Sequence, residues 1–454
     1  MSNILIVGSG LAGSEAAHYL AERGHRVTLQ EMRPQQLTPA HQTGKAAELV
    51  CSNSLKSKAP DSAPGMMKAE MNRVGSLILK SAAGAAVPGG EALTVDREVF
   101  ADAVTAALSS HPNITRVAGE VTTPPEDGIT LLATGPLTSD ALGTWLARAT
   151  GEDRLYFYDA IAPIIDAATI DRERVFLANR YDKGGEEAYL NCPMDQGEYE
   201  AFIDALLAAE KVKPKSFEKE KFFQGCQPIE AIAATGRDSL RYGPMKPVGL
   251  NDPRTGRRPY AVVQLRPENL SLTAYNMVGF QTKLKYGEQS RVFRMIPALR
   301  QAEFVRLGSI HRNTYVCGPK ALAPDLSLRG KPRVYLAGQV TGVEGYLESA
   351  ACGMLSAIFI DQRLSGRPHS APPGNTALGS LLRHIIGSDP KTYQPANINF
   401  ALIEPSLFEG LEGLGRIDAR KKMAEQAIAS FARWWEPRAM LSRNAPLLGS
   451  SRAG

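Results

Sequence analysis

The sequence predicts an α/β protein in which one nucleotide-binding unit is interrupted by an inserted α/β domain. Three observations carry that expectation. A glycine-rich turn joins a strand to a helix at the start of the chain. Two more apolar strands, ending in Thr134-Gly135 and Gly338-Gln339, lie far apart in sequence. A proline-bearing, basic stretch separates them.

Ile4 to Val7 is a short apolar strand. GSGLAG follows at Gly8 to Gly13, then a helix-forming stretch from Ser14 to Arg23 closed by Gly24, then a strand from Val27 to Gln30 ending at Glu31. Gly8 allows the tight turn, Gly10 lets the backbone approach a pyrophosphate, and Gly13 lets helix and strand pack closely. The helix N-terminus offers unpaired N–H groups to phosphate, and Glu31 stands where a carboxylate would hold a ribose hydroxyl. The glycines, the strand–turn–helix context and the acid make this a Rossmann-like dinucleotide clasp rather than an ordinary turn. Gly8, Ser9, Gly10, Leu11, Ala12, Gly13 and Glu31 are its candidate cofactor-binding residues.

Further along, Asp96 reads as the N-cap of a helix through Leu108. Ile129 to Ala133 and Val334 to Ala337 read as strands, and an Ala- and Gly-rich helix runs from near Gly345 to about Ile360. The expected division is residues 1–150 and 319–454 for the nucleotide domain and residues 151–318 for the insertion. The stretch from Gly366 to Asn375 contains three prolines and reads as a loop, and a last helix from about Arg416 to Trp435 reads as a packing helix. A single glycine fingerprint leaves no second nucleotide domain for a resident NAD(P)H. FAD is therefore the preferred resident cofactor, with Gly135, Gly338 and Gln339 at its edge and Tyr346 a candidate contact to the flavin or to folate, or else a packing residue.

A chain of 454 residues is too long for one compact core. Its 43% hydrophobic and 22% charged content is ordinary for a globular protein. No apolar run is long enough to span a membrane, and the first strand follows too few residues for a signal peptide. The five cysteines are odd in number, scattered and without a CxxC pair, which argues against a metal site and for a reducing cytoplasm. The net charge of +5 is unevenly spread: Arg237 to Arg312 holds 14 Lys or Arg against 5 Asp or Glu, an excess of 9, leaving the rest at −4. Such a basic segment suits a polyanionic partner, or else a solvated face. Lys283, Lys285 and Arg291 are the candidate phosphate contacts.

Several segments resemble one family closely. They are ELVCSNSLKS at Glu48, ALTVDREVFA at Ala92, YDKGGEEAYLNCPM at Tyr181, FFQGCQPIE at Phe222, RYGPMKPVGL at Arg241, YNMVGFQTKLKYGEQ at Tyr275, LGSIHRNTYV at Leu307 and LAGQVTGVEGYLESAACG at Leu336. With GSGLAG they resemble the TrmFO family of folate- and FAD-dependent tRNA (uracil-5-)-methyltransferases. The resemblance implies FAD, 5,10-methylenetetrahydrofolate and NADH or NADPH as cofactors and tRNA as partner. A one-carbon unit would pass by way of the flavin to carbon 5 of the T-loop uridine, position 54, to give ribothymidine.

The residues suit that chemistry. Carbon 5 of uracil is a poor nucleophile until a group such as a thiolate adds to carbon 6. Cys51 sits among Ser52, Asn53, Ser54 and Lys56, and Cys226 sits in a glycine–proline turn beside Phe222-Phe223. Either could be a small buried hydrophobe; the resemblance makes both catalytic, with Cys226 the attacker on uracil and Cys51 the base or methylene partner. Cys192, Cys317 and Cys352 read as structural, and His311 as a folate or phosphate contact or a structural histidine. Two other flavoenzyme readings compete. A GidA-type wobble-uridine enzyme would carry a long helical C-terminal domain. A simple NAD(P)H-dependent flavin oxidoreductase leaves the basic insertion unexplained, and a non-catalytic RNA-binding flavoprotein leaves the cysteines so.

Overall fold

The computed structural model describes residues 3–151, 155–182, 188–212 and 227–443. Strand β1 (Asn3–Val7) lies inside a six-stranded sheet. The order is Ser327–Leu328, Lys331–Leu336, Ile129–Leu132, β1, β2 (Arg26–Glu31) and Ile114–Ala118. Every neighbouring pair is parallel except the first. Ile129–Leu132 is buried at all four positions, as a parallel strand covered on both faces must be.

Parallel strands need a crossover, and helix α1 (Leu11–Ala21) supplies it between β1 and β2. It starts before the expected Ser14 because the glycine turn is already its first turn: Gly10 is the N-cap, and its carbonyl accepts from Ser14 N–H at 2.9 Å. The helix Tyr346–Leu364 packs across α1, so both are buried on nearly every side and both are rich in Ala. Gly353 lies directly against the Ala12 backbone.

Between Ile129–Leu132 and Lys331–Leu336 the chain builds a second six-stranded sheet. Its order is Phe176–Leu177, Leu190–Met194, Ala261–Pro267, Ala274–Met277, Ile164–Asp166 and Phe304–Arg306, antiparallel throughout. It carries its own core, with Phe202, Phe280 and Phe293 fully buried. The outgoing strand Leu155–Ala160 and the returning strand Ile310–Tyr315 pair with each other as an antiparallel ribbon. Ala377–Gly387 and the last helix, which runs past Trp435 to Arg443, pack back on the first core. Trp434 and Trp435 are buried there, and Trp435 Nε1–H donates to Arg73 O at 3.2 Å. The aromatic pair therefore serves packing.

Two buried carboxyls fasten helices from outside. Glu15 on α1 accepts from Ser76 Oγ and Ile78 N, both at 2.9 Å, and Glu70 accepts from Ala377 N at 2.7 Å and Leu378 N at 2.8 Å. Each occupies the N–H groups that open a helix. Burial pushes Glu15 up to about 7 and Glu70 up to about 8.

A Cβ added at Gly353 would lie 2.2 Å from Ala12 O and 2.7 Å from Ala12 Cα, backbone that cannot yield without parting the two helices. Gly353→Ala is expected to cost about 1–3 kcal/mol as an overpacked contact. Urea unfolding should show a lower midpoint at unchanged slope; an unchanged midpoint would contradict this packing.

Candidate active site

The carboxyl ends of the parallel strands open into a cleft of about 960 Å³, mouth included. This is where open α/β sheets bind ligands. Gly8, Gly10, Leu11, Ala12, Glu31, Gly135, Gly338, Gln339 and Tyr346 all line it, drawn from segments more than 300 residues apart. Ser9 and Gly13 do not. Ser9 is turned inward, and Gly13 faces Gly8, where an added Cβ would meet Gly8 O at 1.9 Å. Gly8 itself has φ +99° and abuts Ala133. Above Gly10, by contrast, an added Cβ meets nothing within 4 Å, so that space is open to a ligand.

Helices beginning after Ser62, Ser76, Asp96, Ser139 and Thr376 are each capped by that side chain. α1 and Tyr346–Leu364 have no side-chain cap, and both begin at the cleft. Their first N–H groups are left for an anionic ligand. The wall thus fits the pyrophosphate of a dinucleotide.

Glu31 closes the far end, though its carboxylate is already engaged. Oε2 accepts from Ser9 N at 2.8 Å and Ser9 Oγ at 2.9 Å, and Arg33 grips both oxygens at 3.1 Å. Arg33 also donates to Glu48 at 3.0 Å and to Thr43 O at 3.2 Å. Burial alone would push Glu31 up; the Arg33 hydrogen bonds and charge, with the Ser9 N–H, hold it down at about 2. His41, also in the wall, is pushed down to about 4, first by burial and then by Arg33.

Cys51 lies at the junction with the second sheet. Its N–H donates to the Tyr346 hydroxyl at 2.6 Å, and its carbonyl accepts from Arg97 at 2.9 Å. Arg97 also reaches Leu49 O at 2.7 Å and pairs with Glu268 through Nε–Oε2 at 2.6 Å and Nη2–Oε1 at 3.2 Å. Asn53 donates to Val95 O at 3.0 Å and Pro267 O at 2.9 Å, and accepts from Arg266 Nε at 3.1 Å. The Cys51 loop is thereby bolted to the end of strand Ala261–Pro267. Sequence reading missed Arg33, Arg97 and Glu268; only Arg33, two residues past Glu31, had a local signal.

The family model described as Glucose inhibited division protein A matches residues 3–368. Proteins named methylenetetrahydrofolate–tRNA-(uracil-5-)-methyltransferase TrmFO are similar along almost the whole chain. The one from Pelobacter propionicus is 52% identical over 96% of this chain and 95% of its own, and that from Moorella thermoacetica 54% identical over 88% and 92%. The chain belongs to the TrmFO family. Two crystal forms of Aquifex aeolicus GidA share the fold, with TM-scores of 0.66 and 0.64 at 14% and 16% identity. They cover 97% of this chain and 76% and 78% of the GidA chain.

Of the two cysteines singled out by likeness to TrmFO, Cys51 does not itself line the cleft but follows Val50 and bonds Tyr346, which both do, while Cys226 lies outside the described residues. The chain just beyond it is fixed: Ile229 N–H donates to Gln281 O at 2.7 Å, and buried Glu230 accepts from Thr282 Oγ1 at 3.0 Å and Lys283 N at 2.7 Å. Cys192, Cys317 and Cys352 are buried. Burial pushes the Cys352 thiol up to about 11 and the Cys192 thiol higher still. Lys285 and Arg291 are exposed by 59% and 51% and pair with Glu210 and Glu288, each at 2.6 Å. His311 bonds Ser309 Oγ at 2.9 Å and is pushed down to about 4 by burial and then Arg306.

Two predictions follow from this geometry. Arg97→Met leaves the buried Glu268 carboxylate unpaired and should cost about 3–5 kcal/mol, while adding Glu268→Met should restore much of the loss. Equal destabilisation of the single and double variants in urea would mean the pair is not coupled. Glu31 has a folded-state value below its ordinary 4.5, so its stabilisation is complete above pH 4.5 and is lost as the pH falls towards 2. The difference corresponds to about 3 kcal/mol. Unfolding free energies measured from pH 4.5 downward should therefore fall more steeply for wild type than for Glu31→Gln, and parallel curves would refute the assignment.

Proposed function

We propose that the protein methylates carbon 5 of the T-loop uridine, position 54, of tRNA in the cytoplasm. The one-carbon unit comes from 5,10-methylenetetrahydrofolate and the electrons from NADH or NADPH. The observation that carries this reading is the position of Cys51. In a chain half identical to TrmFO proteins, it lies where a dinucleotide-type cleft meets a basic insertion.

FAD, when bound, supplies the redox chemistry that turns a transferred methylene into a methyl group. The chain supplies the rest. The open space over Gly10 and the uncapped start of α1 take the pyrophosphate, and Glu31, oriented by Arg33 and Ser9, takes the ribose. Tyr346 and Arg97 hold the Cys51 backbone, which fixes the loop that carries its thiol beside the cleft. Cys226 adds to carbon 6 of uracil, raising the nucleophilicity of carbon 5. Cys51 then serves as the base for the carbon 5 proton or as the methylene partner.

The insertion receives tRNA through its basic surface. Lys285 and Arg291 are held by ion pairs with Glu210 and Glu288 that water and salt screen. Phosphates can replace those carboxylates at little cost, and counterion release then favours the complex.

The test is mass spectrometry of T-loop nucleosides after unmodified tRNA is incubated with enzyme, FAD, 5,10-methylenetetrahydrofolate and NADPH. Ribothymidine should appear with wild type and be lost in both Cys51→Ala and Cys226→Ala. With tRNA carrying 5-fluorouridine, the covalent adduct should persist on a denaturing gel for wild type and Cys51→Ala and vanish for Cys226→Ala. An adduct lost only in Cys51→Ala would exchange the two roles, and no ribothymidine from wild type would refute the function.

A further inference from the structure

Glu344 lies just beyond the Gly338–Thr341 turn and is 7% exposed. Its backbone N–H donates to Ala396 O at 2.9 Å, which anchors it to the C-terminal part of the chain. Its Oε2 accepts from the Gln339 side-chain amide. Gln339 lines the cleft and Glu344 does not, so the carboxyl stands directly behind the amide in the wall.

Charged groups face Glu344 from three other elements. Asp159 comes from the insertion strand Leu155–Ala160, Lys56 from strand Ser54–Ser57, and Glu348 from helix Tyr346–Leu364. Lys56 is engaged by Glu348 at 2.5 Å, and Glu348 also accepts from Ile398 N at 2.8 Å. Burial, and then the charge of Asp159, push Glu344 up to about 8; the Gln339 hydrogen bond and Lys56 act in the opposite direction without cancelling them. The group therefore changes charge close to neutral pH.

An amide has a donor end and an acceptor end. An ionised carboxylate can only accept, so it takes the NH2 group of Gln339 and leaves Oε1 for the cleft. A protonated carboxyl has an O–H to donate. It can hold Oε1 instead and turn the NH2 group towards the cleft.

We propose that Glu344 is a positioning residue that sets which end of the Gln339 amide faces the bound flavin. One proton taken up behind the wall then converts that point of the wall from hydrogen-bond acceptor to donor. The proton is exchanged with solvent, and no electron moves in this step. An oxidised flavin ring presents acceptors along its edge and gains N–H groups on reduction, so the two amide orientations favour different redox states. The proposal rests on the flavin reading of the cleft.

The test is a pH titration of the visible flavin absorption in FAD-loaded wild type, Glu344→Gln and Gln339→Leu. Wild type should show a band shift with one-proton character centred near pH 8. The FAD-loaded fraction of each variant should lack that shift. A merely structural role for Glu344 would leave the pH dependence in place. A shift that persists in flavin-loaded Glu344→Gln, or a flat titration of wild type, overturns the proposal. Should Glu344→Gln fail to fold, Gln339→Leu decides: loss of the shift supports the proposal and its persistence overturns it. Wild type that takes up no FAD would instead refute the flavin reading, and this proposal with it.

Discussion

One buried guanidinium fixes the geometry on which the site depends. Arg97 opens the helix Arg97–Ser110 of the parallel-sheet unit, yet its hydrogen bonds run to Leu49 and Cys51 on one side and to Glu268 of the second sheet on the other. Its neighbour Asp96 divides its carboxylate in the same way. Oδ1 caps the helix through Glu98 N at 3.0 Å and Val99 N at 3.1 Å, and Oδ2 accepts from Leu270 N at 3.1 Å. The two bodies therefore meet through paired charges and satisfied backbone groups. A buried ion pair of this kind gains little over an apolar contact in stability, but it tolerates few alternative arrangements.

Local chemistry explains why so much of the cleft could be read from the sequence. The turn at Gly8 to Gly13, the alternation into β2 and the acid at its end depend on neighbours in the chain, and each residue type there has one physical role. The same holds for Asp96 as a helix cap. Cys51 stood out because polar residues surround it within three positions. What was not legible depends on distant partners. Nothing near Arg97 announces Glu268, 171 residues on, and nothing near Glu344 announces Asp159. Ser9 and Gly13 belonged to the motif by pattern, but they hold the turn together from behind the wall. The basic excess of the insertion was visible as a count, whereas the pairing of Lys285 with Glu210 was not. Cys226 lies outside the described residues, so its role still rests on family likeness.

The helix starts of the parallel-sheet unit differ in how they are capped. The helices that open after Ser62, Ser76, Asp96 and Thr376 have opening N–H groups satisfied by those side chains, with Glu15 and Glu70 adding to two of them. Of the three helices that begin at the cleft, Asp140–Thr150 is capped by Ser139, while α1 and Tyr346–Leu364 begin at glycine, which brings no side chain to compete with a ligand. At α1 and Tyr346–Leu364 the opening N–H groups therefore face the cleft without a side-chain competitor.

The ribbon formed by Leu155–Ala160 and Ile310–Tyr315 has an evolutionary consequence. Leu155 and Tyr315 are cross-strand partners, so the chain departs and returns at nearly one point, about 5 Å apart. Everything between them is a loop with closed ends. Such a segment can be acquired, enlarged or exchanged by an ancestral nucleotide-binding chain without moving a strand of the parent sheet. The parent sheet keeps its strand order and its cleft whatever the closed loop carries.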